Sequence, residues 1–208
     1  MIRARAYPMR THRHLTAALM AFGLIAALLG TMAVLRPNAV MGADDERNPL
    51  WAKPIPMDGA SNLFQVSDIL YRSAQPTPDG LKRVQELGVK TVINLRAFHN
   101  DVTTTQAVDL LDDELSINTW HITDADVIHV MRLLNDPAGA PYLIHCQHGA
   151  DRTGLMVAMY RIIDQHWSKD AAIDELVHGG YGYHPVWTNI LDYIRHVDVV
   201  ALTAAIAR

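Results

Sequence analysis

The sequence contains a single cysteine, Cys146, among 208 residues. One cysteine cannot form an intramolecular disulfide, so a disulfide-stapled fold is excluded and the redox compartment stays open. A strong net charge is also missing. The formal charge of −4 gives no reason to expect nucleic acid or an anionic membrane surface as a substrate. Half of the residues are apolar, which fits one globular domain of ordinary size with an appendage.

The spacing typical of a metal site is absent as well. The chain has 11 histidines, but no two of them stand at positions i and i+4 beside a glutamate, as a zinc-binding helix requires. We therefore expect no metal and no cofactor.

Charge is absent from one long stretch, residues 15–35. As a helix, these 21 residues would span about 30 Å, the thickness of a bilayer core. Four arginines precede the stretch and only Arg36 follows it directly, which predicts a cytoplasmic basic tail at 1–14 and the remaining protein across the membrane. An uncleaved anchor is favoured over a signal segment, because the apolar run is long and no good small-residue cleavage site follows.

These features predict the domain organisation and the location. Residues 36–56 read as a proline-containing linker and residues 57–208 as a folded domain. The domain would lie outside the cytoplasm, in the periplasm if the protein is bacterial. Cleavage of the segment would instead give a secreted form.

Strand and helix patterns alternate through the folded domain. This alternation predicts an α/β fold in which helices flank both faces of a small, mostly parallel central sheet. Strands are predicted within 63–71 (one or two), 89–95, 117–122 and 142–145; helices are predicted at 79–87, 103–114, 127–134, 153–165, 169–178 and 185–194.

The stretch 145–154 is the candidate functional site. A predicted strand, a tight loop and a helix N-terminus meet at Cys146, and such a loop directs backbone N–H groups toward an anion. Arg152 follows six residues later, and its planar guanidinium suits two oxygens of a phosphate. Positive surroundings should lower the pKa of the thiol and produce a thiolate nucleophile. The alternatives are a buried structural cysteine and a phosphate-binding loop without catalysis.

This stretch resembles the signature of the cysteine-dependent protein tyrosine and dual-specificity phosphatases. The matching positions are His145, Cys146, Gly149, Arg152, Thr153 and Gly154. Residues 71–76 and 88–96 resemble the opening of small bacterial and of plant or fungal atypical members, and the likeness runs from about residue 62 to residue 194. The resemblance implies a protein tyrosine phosphatase-like fold, a phosphatase domain at 57–208 and no metal.

The resemblance also implies roles for individual residues. Cys146 would be the nucleophile and Arg152 the phosphate clamp. His145 would order the loop and help to keep the sulfur ionised, Thr153 would ease breakdown of the cysteinyl phosphate, and Gly154 would allow close packing. The phosphate would bind to the loop residues Gln147, His148, Gly149, Ala150, Asp151 and Arg152.

The general acid is the least constrained assignment. Small atypical members carry an aspartate just before the corresponding helix, which favours Asp124. His121 and Asp126 are the alternatives. With Thr123 as N-cap, Asp126 would complete a capping box, and Asp124 would suit the helix dipole without any catalytic role. Arg72 could contact the substrate phosphate or brace a loop.

Four functions compete at this stage. The leading hypothesis is hydrolysis of phosphotyrosine on proteins, with phosphoserine and phosphothreonine as further substrates. The second is hydrolysis of a non-protein phosphate such as an inositol phosphate or phospholipid. The loop lacks the lysines of relatives that use such polyanions and carries Asp151, which would repel them. A phosphate-binding module without turnover and a sulfurtransferase are the others.

Overall fold

The computed structural model describes residues 47–97, 101–106, 108 and 110–208. The predicted basic tail, the membrane segment and residues 36–46 of the linker lie outside the described residues. Within the described part, no helix combines the length and the apolar character needed to cross a bilayer.

A six-stranded mixed sheet forms the centre of the domain, in the order β1-β2-β3-β6-β4-β5. The four strands β3, β6, β4 and β5 run parallel, whereas β1 and β2 add an antiparallel edge. The predicted mostly parallel sheet is therefore correct for these four strands. The strands are β1 Lys53–Pro54, β2 Phe64–Ser67, β3 Leu70–Ser73, β4 Thr91–Asn94, β5 Leu111–Glu114 and β6 Tyr142–His145.

Helices pack on both faces of the sheet, as predicted. The alternation of side chains along the strands sends Leu70, Ile93 and Ile144 to one face, where the core includes residues of α3 to α7. Tyr71 and Leu143 point to the other face, which α1 covers. The helices are α1 Pro78–Glu86, α2 Val102–Gln106, α3 Asp124–Leu134, α4 Asp151–Ile163, α5 Lys169–His178, α6 Thr188–His196 and α7 Val199–Ile206.

Two predicted elements are wrong. The helix predicted at 103–114 is only the short α2, followed by strand β5, and 117–122 is a loop rather than a strand. Strand β5 forms because its backbone completes the edge of the sheet: Leu111 N–H donates to Lys90 O at 2.9 Å. Tertiary pairing thus overrides the low strand propensity of two aspartates and a glutamate.

Residues 47–56 pack on the domain, although they are predicted as part of a linker. The compact unit begins at Arg47. The Arg47 guanidinium donates to Gly179 O at 2.6 Å, and the N–H of the buried Ala52 donates to Glu175 Oε1 at 2.7 Å. Long-range partners for these polar groups make this segment part of the fold.

Candidate active site

The candidate nucleophile lies in a loop between β6 and α4. Strand β6 ends at His145, and Cys146 follows with only 2% of its surface exposed. Helix α4 starts at Asp151, and its N-cap residue, Ala150, provides no side-chain hydrogen bond. The first N–H groups of this 13-residue helix therefore face the loop without a capping side chain, which favours an anion there.

Three consecutive carbonyl groups of the loop are bound from outside it. Gln147 O accepts from the N–H of Gln75 at 3.3 Å. His148 O accepts from Asn62 Nδ2 at 2.9 Å, and Gly149 O accepts from Arg72 Nη2 at 2.6 Å. The C=O and N–H of a trans peptide unit point in opposite directions, so the N–H groups that follow these carbonyls point away from the three donors. This orientation is the one an anion cradle requires.

Gly149 lets the loop approach the end of β3. Its φ of +69° lies in the left-handed region, and a Cβ there would fall 2.5 Å from Ala74 N. Any larger residue would push the loop off the strand and disturb the carbonyl contacts.

Arg152 lies at the carboxyl edge of the sheet, as its place in the motif predicts. Its Nη1 donates to Leu95 O at 3.0 Å and approaches Ile117 O at 3.5 Å. Within the described part of the chain, Nε and Nη2 have no hydrogen-bond partner. One nitrogen thus anchors the guanidinium, while the other two form a fork whose geometry suits two oxygens of a phosphate.

His145 belongs to a buried polar network that contains Asp101. His145 Nε2 lies 3.2 Å from Asp101 Oδ2, and Arg96 Nη2 lies 2.7 Å from Asp101 Oδ1. Burial alone would raise the pKa of Asp101, but hydrogen bonds from His145 and Gln75 and the charge of Arg96 hold it below its usual value. Sequence reasoning missed Asp101, since its only signal was the neighbouring Arg96 at the end of a predicted strand.

Asp151 is bound to His184, outside the loop. Its carboxylate accepts the backbone N–H of His184 at 2.9 Å and lies 2.8 Å from the His184 ring Nδ1. The His184 ring also meets the exposed ring of His148 edge-on, with 5.6 Å between the centroids. Sequence reasoning missed His184, which no motif marks, although it joins the segment before α6 to residues 147–152, the loop predicted to bind phosphate and called the phosphate loop below.

The three candidates for the general acid have different surroundings. Asp126 completes a capping box: its Oδ2 accepts from Thr123 N at 2.9 Å, and its own N–H donates to Thr123 Oγ1 at 3.3 Å. Asp124 is exposed at the first position of α3 and accepts from the Tyr193 hydroxyl at 2.8 Å. His121 is exposed in the loop before α3. Asp126 therefore has a structural role, and Asp124 remains the prediction for the acid.

The loop that precedes α3 is joined to α6. Asn189 Nδ2 donates to Thr119 O at 2.8 Å. The Trp120 and Trp187 rings meet edge-on with centroids 4.5 Å apart, and Trp120 remains 73% exposed. Because Ile117 of the same loop approaches Arg152, this aromatic pair is connected to the site through one short segment.

Known proteins are similar to this chain in sequence and in fold. The family model described as "DSP-PTPase phosphatase fused to NAD+ Kinase" matches residues 58–180. Dual specificity protein phosphatase TpbA of Pseudomonas aeruginosa is 37% identical over 186 residues, 88% of this chain and 84% of TpbA. Inositol diphosphatase DSP3 of Arabidopsis thaliana is 26% identical over 175 residues, 78% of this chain and 80% of that protein.

A solved structure extends the likeness to the fold. The crystal structure of a cysteine-to-serine variant of P. aeruginosa TpbA in complex with pTyr superimposes with a TM-score of 0.69 at 36% identity. The match covers 78% of this chain and 99% of that one. With the loop geometry, these matches show that the chain belongs to the cysteine-dependent dual-specificity and protein tyrosine phosphatase family.

Proposed function

We propose that the protein hydrolyses phosphotyrosine in proteins, and phosphoserine or phosphothreonine as further substrates, through a cysteinyl-phosphate intermediate. The observation that carries this proposal is the outward binding of the loop carbonyls at Gln147, His148 and Gly149. This binding of the carbonyls directs the backbone N–H groups of residues 148–150 away from the donors. These N–H groups then lie beside the N-terminus of α4 and the Arg152 fork.

The chemistry takes two displacement steps. In the first, the Cys146 thiolate attacks phosphorus, the ester P–O bond breaks, and a general acid protonates the leaving tyrosyl oxygen. Arg152 holds two non-bridging oxygens as charge shifts onto the leaving group. In the second step, water attacks the phosphorus of the cysteinyl phosphate and transfers a proton to the same group, which now acts as a base. The P–S bond breaks, and phosphate and the Cys146 thiolate are released.

Asp124 is the residue we assign as that acid, and Thr153 assists the second step. Thr153 is fully buried in the first turn of α4, and its hydroxyl has no hydrogen-bond partner among the described residues. A buried hydroxyl without a partner is costly, and the intermediate would provide one.

The substrate class is supported by two features. A relative 36% identical has been crystallised with pTyr. The exposed Trp120, stacked edge-on against Trp187, offers an apolar surface that suits an aryl ester or a peptide better than a polyol. An inositol phosphate is the second candidate, because a relative carries the name inositol diphosphatase. The Asp151 charge in the loop works against it.

The test combines a substrate panel with a trapping variant. Purified protein would be assayed against phosphopeptides, inositol phosphates and thiosulfate, and we expect the highest kcat/KM on phosphotyrosine peptides. Cys146→Ser should abolish turnover and still bind a phosphopeptide, because the serine fills the same place without a thiolate-like pKa. Turnover retained in this variant would exclude the covalent mechanism. A preference for thiosulfate would contradict the phosphatase function.

The proposal extends to the location of the protein. The uncharged segment 15–35 with its basic flank would anchor the chain, with the phosphatase domain outside the cytoplasm. A reporter that is active only outside the cytoplasm, fused after Arg208, should be active, and full-length protein should stay in the membrane fraction. An N-terminus of the mature protein near Gly42 would show that the segment is cleaved and that the protein is secreted rather than anchored.

A further inference from the structure

Arg72 lies behind the phosphate loop. It belongs to β3, where it pairs with Ile144 of β6, and its side chain is completely buried. Its Nη2 donates to Gly149 O at 2.6 Å, and its Cζ lies 3.6 Å from the centroid of the Tyr181 ring. The side chain therefore contacts the loop from the side opposite to the N–H groups.

The positive charge of Arg72 has no contacting carboxylate in the described part of the chain. The nearest acid in the network is Glu175, which Arg161 binds with two nitrogens at 2.7 and 2.9 Å. Glu175 also accepts from the Tyr181 hydroxyl at 2.9 Å. The Arg72 Nε is buried without a partner among the described residues, so the Arg72 cation is less neutralised than that of Arg161.

The charged groups around Arg72 include the nucleophile itself. Burial lowers the pKa of Arg72 to about 10, while Tyr181, Glu175 and Cys146 raise it and Arg161 lowers it. Arg72 thus stays protonated at neutral pH.

We propose that Arg72 is a positioning residue of this active site: its hydrogen bond holds the Gly149 carbonyl out of the anion cradle. The inference rests on the proposed function, since it assigns a second cation to the same phosphate loop. Arg152 would contact the phosphate directly, whereas Arg72 acts through the backbone of the loop.

Asn62 provides a matched comparison, because it also holds a carbonyl of the loop. Its Nδ2 donates to His148 O at 2.9 Å, one carbonyl along the loop, and to Tyr181 O at 2.9 Å. Asn62 has a φ of +56°, so Asn62→Gly removes the amide and keeps a residue that tolerates this conformation. Comparing Asn62→Gly with Arg72→Met therefore shows how much the neutral and the charged donor each contribute to phosphate binding.

Alkylation of Cys146 by iodoacetamide reports on the thiol and on phosphate binding without a substrate. Cys146 is the only cysteine in the sequence, so the modification rate reports one thiol. The rate as a function of pH gives the midpoint of thiolate formation. Protection by inorganic phosphate gives the affinity of the cradle.

We expect Arg72→Met to weaken phosphate protection about tenfold or more, because the Gly149 carbonyl loses its buried charged donor and can turn toward the anion. Asn62→Gly should also weaken phosphate protection, by a smaller factor. A folded Arg72→Met, as judged by circular dichroism, with wild-type phosphate protection would overturn the proposal.

Arg72→Lys decides the matter if Arg72→Met does not fold. Lysine keeps the charge but not the planar donor group, so we expect a midpoint near wild type with phosphate protection weakened about fivefold or more. Unchanged protection would overturn the positioning role. A wild-type midpoint near that of an ordinary thiol would instead overturn the proposed function, so the two failures are distinguishable.

Discussion

Asp151 accepts the backbone N–H of His184 at 2.9 Å and lies 2.8 Å from the His184 ring Nδ1. This contact ties the only acidic residue of the phosphate loop to the segment before α6. These contacts hold the carboxylate in place, and its charge belongs to the loop that we propose to bind phosphate. We therefore expect Asp151 both to anchor the loop and to act as a filter against highly charged substrates.

Asp151→Asn should change substrate preference without releasing the loop. Asparagine keeps an oxygen that accepts from His184 and removes the negative charge. We expect kcat/KM on an inositol polyphosphate to rise about threefold to tenfold relative to a phosphotyrosine peptide, because repulsion of the polyanion is relieved. Asp151→Ala is the control, and it should lower activity on both substrates because the anchor is lost. If Asp151→Asn left the ratio of the two kcat/KM values unchanged, the Asp151 charge would not act as a filter between these substrates.

Arg152→Lys should slow the reaction strongly. A lysine ammonium cannot reproduce one anchored nitrogen and a two-nitrogen fork, so we expect a loss of at least about 2 kcal/mol of transition-state stabilisation, about 30-fold in kcat/KM. Arg195→Lys, on an exposed arginine paired with Asp192, should stay within a factor of about two. Activity of Arg152→Lys within the same factor would show that Arg152 does not clamp the phosphoryl group.

Asp124→Asn tests the general acid. If Asp124 protonates the leaving oxygen, turnover on phosphotyrosine should fall by roughly two to four orders of magnitude. The loss should shrink on an aryl phosphate whose leaving group is acidic, and the basic limb of the pH–rate profile should disappear.

Asp126→Asn is the matched control for this test. It weakens the capping box with Thr123 and should cost about 1 kcal/mol of unfolding free energy, with no dependence on the leaving group. Equal, modest losses of Asp124→Asn on both substrates would reject Asp124, and the same assays on His121 would follow.

Asp112 should make stability depend on pH. Burial, together with the charges of Glu114 and Asp101, raises the pKa of this β5 carboxyl to about 7. Between about pH 4 and pH 7 the folded chain then binds more protons at Asp112 than the unfolded chain, so stability falls as pH rises. Asp112→Asn should raise the unfolding free energy by about 1–2 kcal/mol at pH 8, after allowance for solvent screening, and hardly change it at pH 4.

Thermal unfolding at the two pH values checks this prediction. Asp58→Asn, at a fully exposed carboxylate, should show no such difference between pH 4 and pH 8. A gain for Asp112→Asn that is equal at both values would point to a cause other than ionisation.

Local signals predicted the parts of this protein whose structure is local. The run from His145 to Gly154 contains its own strand end, loop and helix start, and the structure places Cys146 and Arg152 accordingly. The N-cap Thr123 is also confirmed, because a cap needs only the first turn of its helix.

The features that sequence reasoning missed depend on distant partners. Strand β5 forms because it pairs with β4 at the edge of the sheet, although its own residues favour a loop. Asp101 and His184 reach the phosphate loop only through the folded chain. From the sequence, Arg72 could contact the substrate or brace a loop. Its burial and its hydrogen bond to Gly149 O favour the second role.

The contacts of Arg47 and Ala52 determine where a fragment of this protein can be cut. A fragment that begins at residue 57 would lose the guanidinium bound to Gly179 O and the N–H bound to Glu175 Oε1. Glu175 would then keep a buried charge with one donor fewer, next to the Tyr181 ring that supports Arg72. Recombinant production of the catalytic domain therefore has to retain Arg47, even though the motif lies a hundred residues further along the chain.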